Sequence, residues 1–185
     1  MSQRVLISRE RIASRLEQMG RDIDRDYGFA LEGAARAGPE GRLVVVPIMT
    51  GALMFLCDLI RCTRVQMQIR PVTIASYPGT ATSSQGASIR GDIPTDLTGA
   101  HVLIVDDILD SGRTLGLLRR MIAAQRPASL KIAVLLRKTE DTGRREEHVE
   151  VEYVGFDIGD EFVIGYGLDY DGLYRNLPEI RVLEA

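Results

Sequence analysis

The densest chemistry in the chain lies in the run Val105-Asp106-Asp107-Ile108-Leu109-Asp110-Ser111-Gly112-Arg113-Thr114. An apolar stretch opens into three closely spaced carboxylates, then a small-residue turn, then a helical pattern. Ser111 to Thr114 presents backbone N–H groups and two hydroxyls where a helix begins. Gly112 permits close approach, and the positive end of the helix dipole favours an anion, so a phosphate fits there. Asp106 and Asp107 are hard oxygen acceptors that can hold a sugar diol directly or through Mg²⁺ and its waters. Asp110, beside the cradle, can exchange a proton with a bound ligand. Capping a helix takes one aspartate rather than three, and crowding like charges is unfavourable. A phospho-receiver pocket also gathers aspartates, but from separate strand ends. The absence of Gly-x-x-x-x-Gly-Lys excludes a Walker loop.

The elements that must carry this bend are legible on either side. His101 to Val105 is an apolar run that predicts a buried strand. Arg113 to Gln125 predicts a helix with Leu115, Leu118 and Ile122 inward, stopped by Pro127, and Lys131 to Leu136 predicts the next strand. Strand, helix and strand in this order make a right-handed βαβ unit. Upstream, Ser8 can cap a helix with Ile12, Leu16, Met19 and Ile23 on one face. Gly33 to Gly41 breaks the chain, and Leu43 to Val46 predicts a strand covered on both faces. Pro47 to Gly51 reads as a turn, and Ala52 to Arg61 as a helix through Leu53, Leu56 and Ile60. Met67 to Ala75 predicts one strand, and Ser76 to Gly91 a long loop without hydrophobic period, of the kind that serves as a functional lid or is disordered. Downstream, Glu140 to Glu152 reads as a polar connection, Val149, Val151 and Tyr153 alternate, and Phe162 to Gly167 is strand-like. The architecture expected is α/β, a parallel twisted sheet with helices on both faces and a small appended flap. In such sheets ligands bind beyond the carboxyl ends of the strands.

Composition sets the outer limits. The 185 residues are 45% hydrophobic and 26% charged, which excludes disordered, collagen-like and disulfide-scaffold classes and implies one domain over 1–185. The net charge of −3 provides no global field for nucleic acid or an anionic membrane, so an anionic ligand must be held by local devices. Cys57 and Cys62 match no zinc or redox spacing and are expected as reduced thiols. The N-terminal apolar run is too short for a signal segment, and Leu43 to Cys57 too short for a membrane span. A cytoplasmic protein is expected.

The acidic run resembles the 5-phosphoribosyl 1-diphosphate-binding signature of type I phosphoribosyltransferases. Two acids followed by Ile-Leu-Asp and Ser-Gly-Arg-Thr are most similar to the hypoxanthine-guanine branch. Pro47-Ile48-Met49-Thr50-Gly51-Ala52 resembles the family's pyrophosphate loop, and Ser76-Tyr77 the start of its mobile loop. Leu135 to Lys138, Val154 to Ile158, Asp160 to Tyr170 and Tyr174-Arg175 resemble its purine site and hood. The resemblance runs from about Val5 to Leu183. It implies a core at about 40–155 and a hood drawn mainly from 156–185 with an N-terminal contribution. It implies transfer of 5-phosphoribosyl to N9 of a 6-oxopurine, with inosine or guanosine monophosphate and pyrophosphate as products. Asp110 then exchanges the N7 proton. Ser111, Gly112, Arg113 and Thr114 hold the 5′-phosphate, and Asp106 and Asp107 the ribose hydroxyls. Thr50, Gly51 and Arg175 serve the pyrophosphate. Lys138 donates to O6, Phe162 stacks on the base and the Val163 backbone reads its edge. Asp169 joins Asp106 and Asp107 in handling Mg²⁺. The expected partners are a purine base, 5-phosphoribosyl 1-diphosphate and further copies of the chain, as dimer or tetramer, with no nucleic acid or membrane.

Outside that resemblance, Lys138 reads as a solvated lysine, Phe162 as core, Asp169 as a turn residue and Arg175 as surface. His101 and His148 stand too far from the acids to nominate. Three departures from the family pattern stand out. Thr50 stands where the family often has Lys or Arg, at a position that in the family is entered through a cis peptide, Gly159 stands where relatives commonly have Pro, and Arg113 where some have Lys. Two rival functions keep the fold: a purine transferase preferring xanthine, and a nucleotide-sensing regulator of genes, which would need a coherent basic face.

Overall fold

Short apolar runs alternating with amphipathic helices build a parallel sheet here, because each run can be buried on both faces only when helices cover both sides. The computed structural model of the chain describes residues 3–28, 42–75, 88–90, 93–139 and 146–184. Strand β1 (Gln3–Ile7) leads to helix α1 (Arg9–Asp26), β2 (Leu43–Met49), α2 (Leu53–Arg61), β3 (Met67–Ile69), β4 (Val72–Ala75) and β5 (Ser88–Arg90). Then come β6 (His101–Leu109), α3 (Arg113–Ala123), β7 (Ser129–Lys138), β8 (Tyr153–Ile158), β9 (Val163–Ile164) and β10 (Ile180–Leu183). The main sheet runs β5-β4-β2-β6-β7-β8, with β3 also on β2. All its pairings are parallel except β4 with β5. A small sheet, β1-β10-β9, carries the C-terminal segment back to the N-terminus.

Strand alternation sorts the core into two halves. Leu43, Val45, Leu103, Val105, Ala133 and Leu135 face α1 and α2, joining Ile12, Leu16, Met19, Ile23, Phe55 and Leu59. Val44, Val46, Val102, Ile104, Ile132 and Val134 face α3, joining Leu115, Leu118 and Ile122. Ser8 caps α1 as its type predicts, accepting from the Arg11 backbone N–H. Arg15 ties α1 to the sheet through the carbonyls of Gly155 and Val154, at 3.0 and 2.6 Å. No helix among the described residues is long and apolar enough to cross a membrane.

Several boundaries differ from the sequence reading. Strand β2 continues through Pro47 to Met49, because neighbours on both sides pair with it: Pro47 opposite Val105 and Ile48 opposite Val72. The expected strand from Met67 to Ala75 is broken at Arg70 and Pro71 into β3 and β4, which dock on successive parts of β2. Within the loop expected from Ser76 to Gly91, Ser88–Arg90 pairs antiparallel with β4; the rest of it, 76–87 and Gly91, lies outside the described residues. The inner face of α2 is Phe55, Leu56 and Leu59, with Leu53 and Ile60 only half-buried. Val149 and Val151 precede β8 rather than belonging to it; Val149 is buried in the half-core that α3 closes. Only Val163 and Ile164 of the strand-like run from Phe162 to Gly167 are strand, since Gly165, Tyr166 and Gly167 take positive φ.

Candidate active site

Strand β6 is longer than its apolar run suggests. Pairing with β7 persists to Leu109 opposite Arg137, so Asp106 and Asp107 sit on the strand and only Asp110 opens the bend. The acids therefore stand at the carboxyl end of a central strand, where an α/β sheet places its ligand. They line a cleft of about 360 Å³ with Ile48, Met49, Gly51, Ile74, Ser111, Gly112, Thr114, Asp169 and Arg175.

Asp106 is 6% exposed. Burial, then the neighbouring Asp107 charge, pushes its carboxyl well above the usual carboxylate range. Burial also raises Asp107, against hydrogen bonds to its carboxylate and the positive charge of Arg175. The Asp107 backbone N–H donates to Asp106 Oδ1 at 3.0 Å, and the Ile108 N–H to Asp107 Oδ1 at 2.9 Å. Two such carboxyls side by side are held at an energetic cost that an oxygen-seeking cation relieves. Among the described residues, no three His, Cys, Asp or Glu side chains gather closely enough to hold a metal by themselves. A cation here would share its shell with ligand or water oxygens.

The bend itself begins with Asp110, whose Oδ1 is buried without a hydrogen-bond partner among the described residues. A buried acceptor left unpaired is costly unless a ligand completes it. Its Oδ2 lies 3.8 Å from Lys138 Nζ. Gly112 takes φ +86°, a conformation that favours glycine, and caps α3 without a side-chain bond to the first turn. The Arg113 N–H reaches Ser111 Oγ at 3.4 Å, and the N-cap itself supplies no side-chain acceptor to that helix start, whose N–H groups favour an anion. Arg113 turns away from the cleft to pair with Glu146.

Of the remaining predicted residues, Gly51, Asp169 and Arg175 line the cleft, whereas Thr50, Lys138, Phe162 and Val163 do not. Gly51 faces it from the start of α2, where a Cβ would run into the Asp107 carboxylate. Thr50 is exposed and does not line the cleft; the Met49–Thr50 peptide is cis. Arg175 bonds Asp169 at 2.6 Å and donates to the Gly167 carbonyl at 2.6 Å. Lys138, 6% exposed, lies 3.3 Å from Asp160 as well as near Asp110. Phe162 is 51% exposed and meets Tyr170 edge to face, with ring centroids 5.7 Å apart. Val163 is buried in β9, opposite Val182. Ser76 and Tyr77 lie outside the described residues.

Two contacts escaped the sequence reading. Asp160 reaches Lys138 because Lys138 and Ile158 are register partners at the β7–β8 edge, a relation that no local spacing reveals. The connection before β8 is more than polar filler. The N–H groups of Glu146 and Glu147 both donate to the Ser111 carbonyl, at 2.9 and 3.0 Å. The available signal is faint: two glycines four apart, Gly112 and Gly116, on one helix face.

Comparison with known proteins agrees with the fold. The family model described as the phosphoribosyl transferase domain matches residues 20–171. A hypoxanthine-guanine phosphoribosyltransferase of Mycobacterium avium is 41% identical over 181 residues, 97% of this chain and 85% of that protein. A hypoxanthine phosphoribosyltransferase of Escherichia coli (strain K12) is 38% identical over 176 residues, 95% of this chain and 92% of that protein. Among solved structures, a hypoxanthine phosphoribosyltransferase from Staphylococcus aureus superposes with a TM-score of 0.83 at 36% identity, covering 98% of this chain and 91% of that one.

Proposed function

The chain belongs to the phosphoribosyltransferase family, and from that premise we propose that it is a purine-salvage transferase. It moves 5-phosphoribosyl from 5-phosphoribosyl 1-diphosphate to N9 of hypoxanthine or guanine, forming the 5′-monophosphate and pyrophosphate. The observation that carries this reading is the meeting, in one cleft, of a helix N-terminus, a strand-end pair of carboxyls and an Asp110 oxygen without a partner among the described residues.

The reaction sets three demands: grip a sugar phosphate, stabilise a cationic ribosyl centre while pyrophosphate departs, and remove a purine proton. The bend from Ser111 to Thr114 answers the first with amides, hydroxyls and the α3 dipole. Arg113 supplies its backbone there, since its guanidinium is engaged by Glu146. Asp106 and Asp107 receive the ribose hydroxyls. Gly51 and Arg175 border the pyrophosphate, while Thr50 adjoins Gly51 outside the cleft lining. Asp110 takes the N7 proton as N9 becomes nucleophilic, and its unpaired Oδ1 suits that acceptor role. Lys138, buried between Asp110 and Asp160, donates to O6 and so favours oxo over amino purines. The exposed face of Phe162 takes the base, and the Val163 backbone reads its edge.

The donor set suits Mg²⁺: Asp106, Asp107 and Asp169 are hard oxygen ligands, and the buried pair calls for positive charge. When bound, the ion stabilises negative charge on the departing pyrophosphate. Residues Ser76 and Tyr77 begin the segment that would close over the site and exclude water. A cytoplasmic homo-oligomer is the form proposed.

The test is a steady-state assay with 5-phosphoribosyl 1-diphosphate, Mg²⁺ and adenine, hypoxanthine, guanine or xanthine in turn. Turnover of hypoxanthine well above adenine is expected. Activity with adenine alone, or with none of the four, overturns the assignment.

A further inference from the structure

We propose that Glu147 is a positioning residue for the phosphate cradle, acting through a clasp across the start of α3. The proposal rests on the transferase reading above and adds to it a part of the chain, the segment before β8, that the reading leaves without a role.

The clasp has three components. The first is the backbone. The Ser111 carbonyl accepts from the N–H groups of both Glu146 and Glu147, at 2.9 and 3.0 Å. A peptide unit is planar and trans, so its C=O and N–H point in opposite directions. Fixing the Ser111 carbonyl toward the segment before β8 fixes the Gly112 N–H away from it, on the cleft side of the bend. That N–H belongs to the group of amides that would meet the phosphate.

The second component is charge. Glu146 pairs with Arg113 and Glu147 with Arg120. The two arginines are seven residues apart on α3, two helical turns, and so project from nearly the same face. Two consecutive glutamates thereby grip one helix at two points. An isolated exposed ion pair contributes little, but here the pairs anchor a strap whose backbone is already bonded to the loop.

The third component is missing side chains. A Cβ at Gly112 would collide with the Glu147 carbonyl, and a Cβ at Gly116 with the Glu147 carboxylate. One glycine admits the strap's backbone and the other, one turn on, its side chain. Gly112 also has a role in the cradle through its positive φ, whereas Gly116 lies a turn past the bend and outside the cleft lining. Contact with Glu147 is therefore the specific reason for glycine at 116.

The expected consequence is selective. Loosening the strap frees the Ser111–Gly112 peptide to rotate, which weakens the grip on 5-phosphoribosyl 1-diphosphate without touching the purine side of the site. The full-length chain is assayed as wild type, Glu147→Ala, Arg120→Ala and the double variant, with both substrates varied and Tm recorded. KM for 5-phosphoribosyl 1-diphosphate rises about three- to tenfold in each single variant, and KM for hypoxanthine stays within about twofold. The double variant is no worse than the singles, because both remove one contact. Glu147→Pro, which also deletes an N–H to Ser111, raises that KM further. An unchanged KM for 5-phosphoribosyl 1-diphosphate, or equal rises for both substrates, overturns the clasp while leaving the transferase intact. A wild-type chain that turns over no purine overturns both.

Discussion

Asp110 and Lys138 are close neighbours to which the proposed function gives separate tasks. The Asp110 carboxylate has one oxygen without a hydrogen-bond partner among the described residues and the other 3.8 Å from the Lys138 ammonium. Asp110→Asn keeps the shape and removes the proton acceptor. It lowers kcat by about tenfold or more while affinity for inosine monophosphate stays close to wild type. Steady-state turnover and calorimetric binding together check this, and wild-type kcat would remove Asp110 from the mechanism. Lys138→Gln erodes the preference for hypoxanthine over adenine, since the purine 6-position loses its fixed donor; competing the two bases measures it. The acids and the cradle are legible in sequence because they are contiguous and their chemistry is local. Lys138, Phe162, Asp169 and Arg175 gain meaning only from the order of the motifs around them. The pairing of Asp160 with Lys138 and the place of Glu147 are silent, because strand register and a crossing backbone bring them in.

Elements position these residues through contacts remote from the cleft. At the far end of the sheet, Asp26 at the close of α1 accepts from Lys131 on β7 at 2.7 Å and from the Tyr153 hydroxyl on β8 at 2.8 Å. The Lys131 hydrogen bond, then that of Tyr153, holds the Asp26 carboxyl below its ordinary value of 3.8 against the opposing effect of burial. A folded-state value below the unfolded one means that this stabilisation is present above the unfolded value. It is lost as pH falls through the folded one. Asp26→Asn therefore destabilises the protein at pH 7 by on the order of 1–2 kcal/mol, and the deficit closes in acid. Thermal melts of both proteins from pH 7 downward test it; a deficit independent of pH would contradict the assigned charge. Helix faces were legible here from spacing alone, as with Ile12, Leu16, Met19 and Ile23 on α1. Strand ends were not. Asp106 and Asp107 look like loop residues, yet β7 alongside extends β6 through them. Pairing partners override polarity where two strands run side by side.

At the scale of the whole molecule, the site lies where the main sheet, α3 and the C-terminal segment returning to β1 converge. That convergence explains why Asp169 and Arg175, distant in sequence from the acidic bend, line the same cleft. A ligand bridging these parts stabilises all of them together. Mg²⁺ with inosine monophosphate at about a hundred times its Kd adds about 2.7 kcal/mol, which for a chain of this size raises Tm by roughly 5–10 °C. Scanning calorimetry reads the shift, and an excess of chelator during turnover abolishes activity; either ligand-blind stability or chelator-resistant catalysis would count against the site. Fold class is readable in the sequence because alternating strand and helix patterns admit few right-handed arrangements. The split of Met67 to Ala75 into two strands was not, since Pro71 offers a break but no indication that both halves return to β2.

The most direct measurement is a crystal structure of the complex with inosine monophosphate and Mg²⁺. The account predicts the 5′-phosphate on the amides of Ser111 to Thr114, the ribose over Asp106 and Asp107, and the purine between Phe162 and Lys138 with N7 facing Asp110. A nucleotide bound elsewhere, with the bend beyond β6 making no contact to it, would contradict the account.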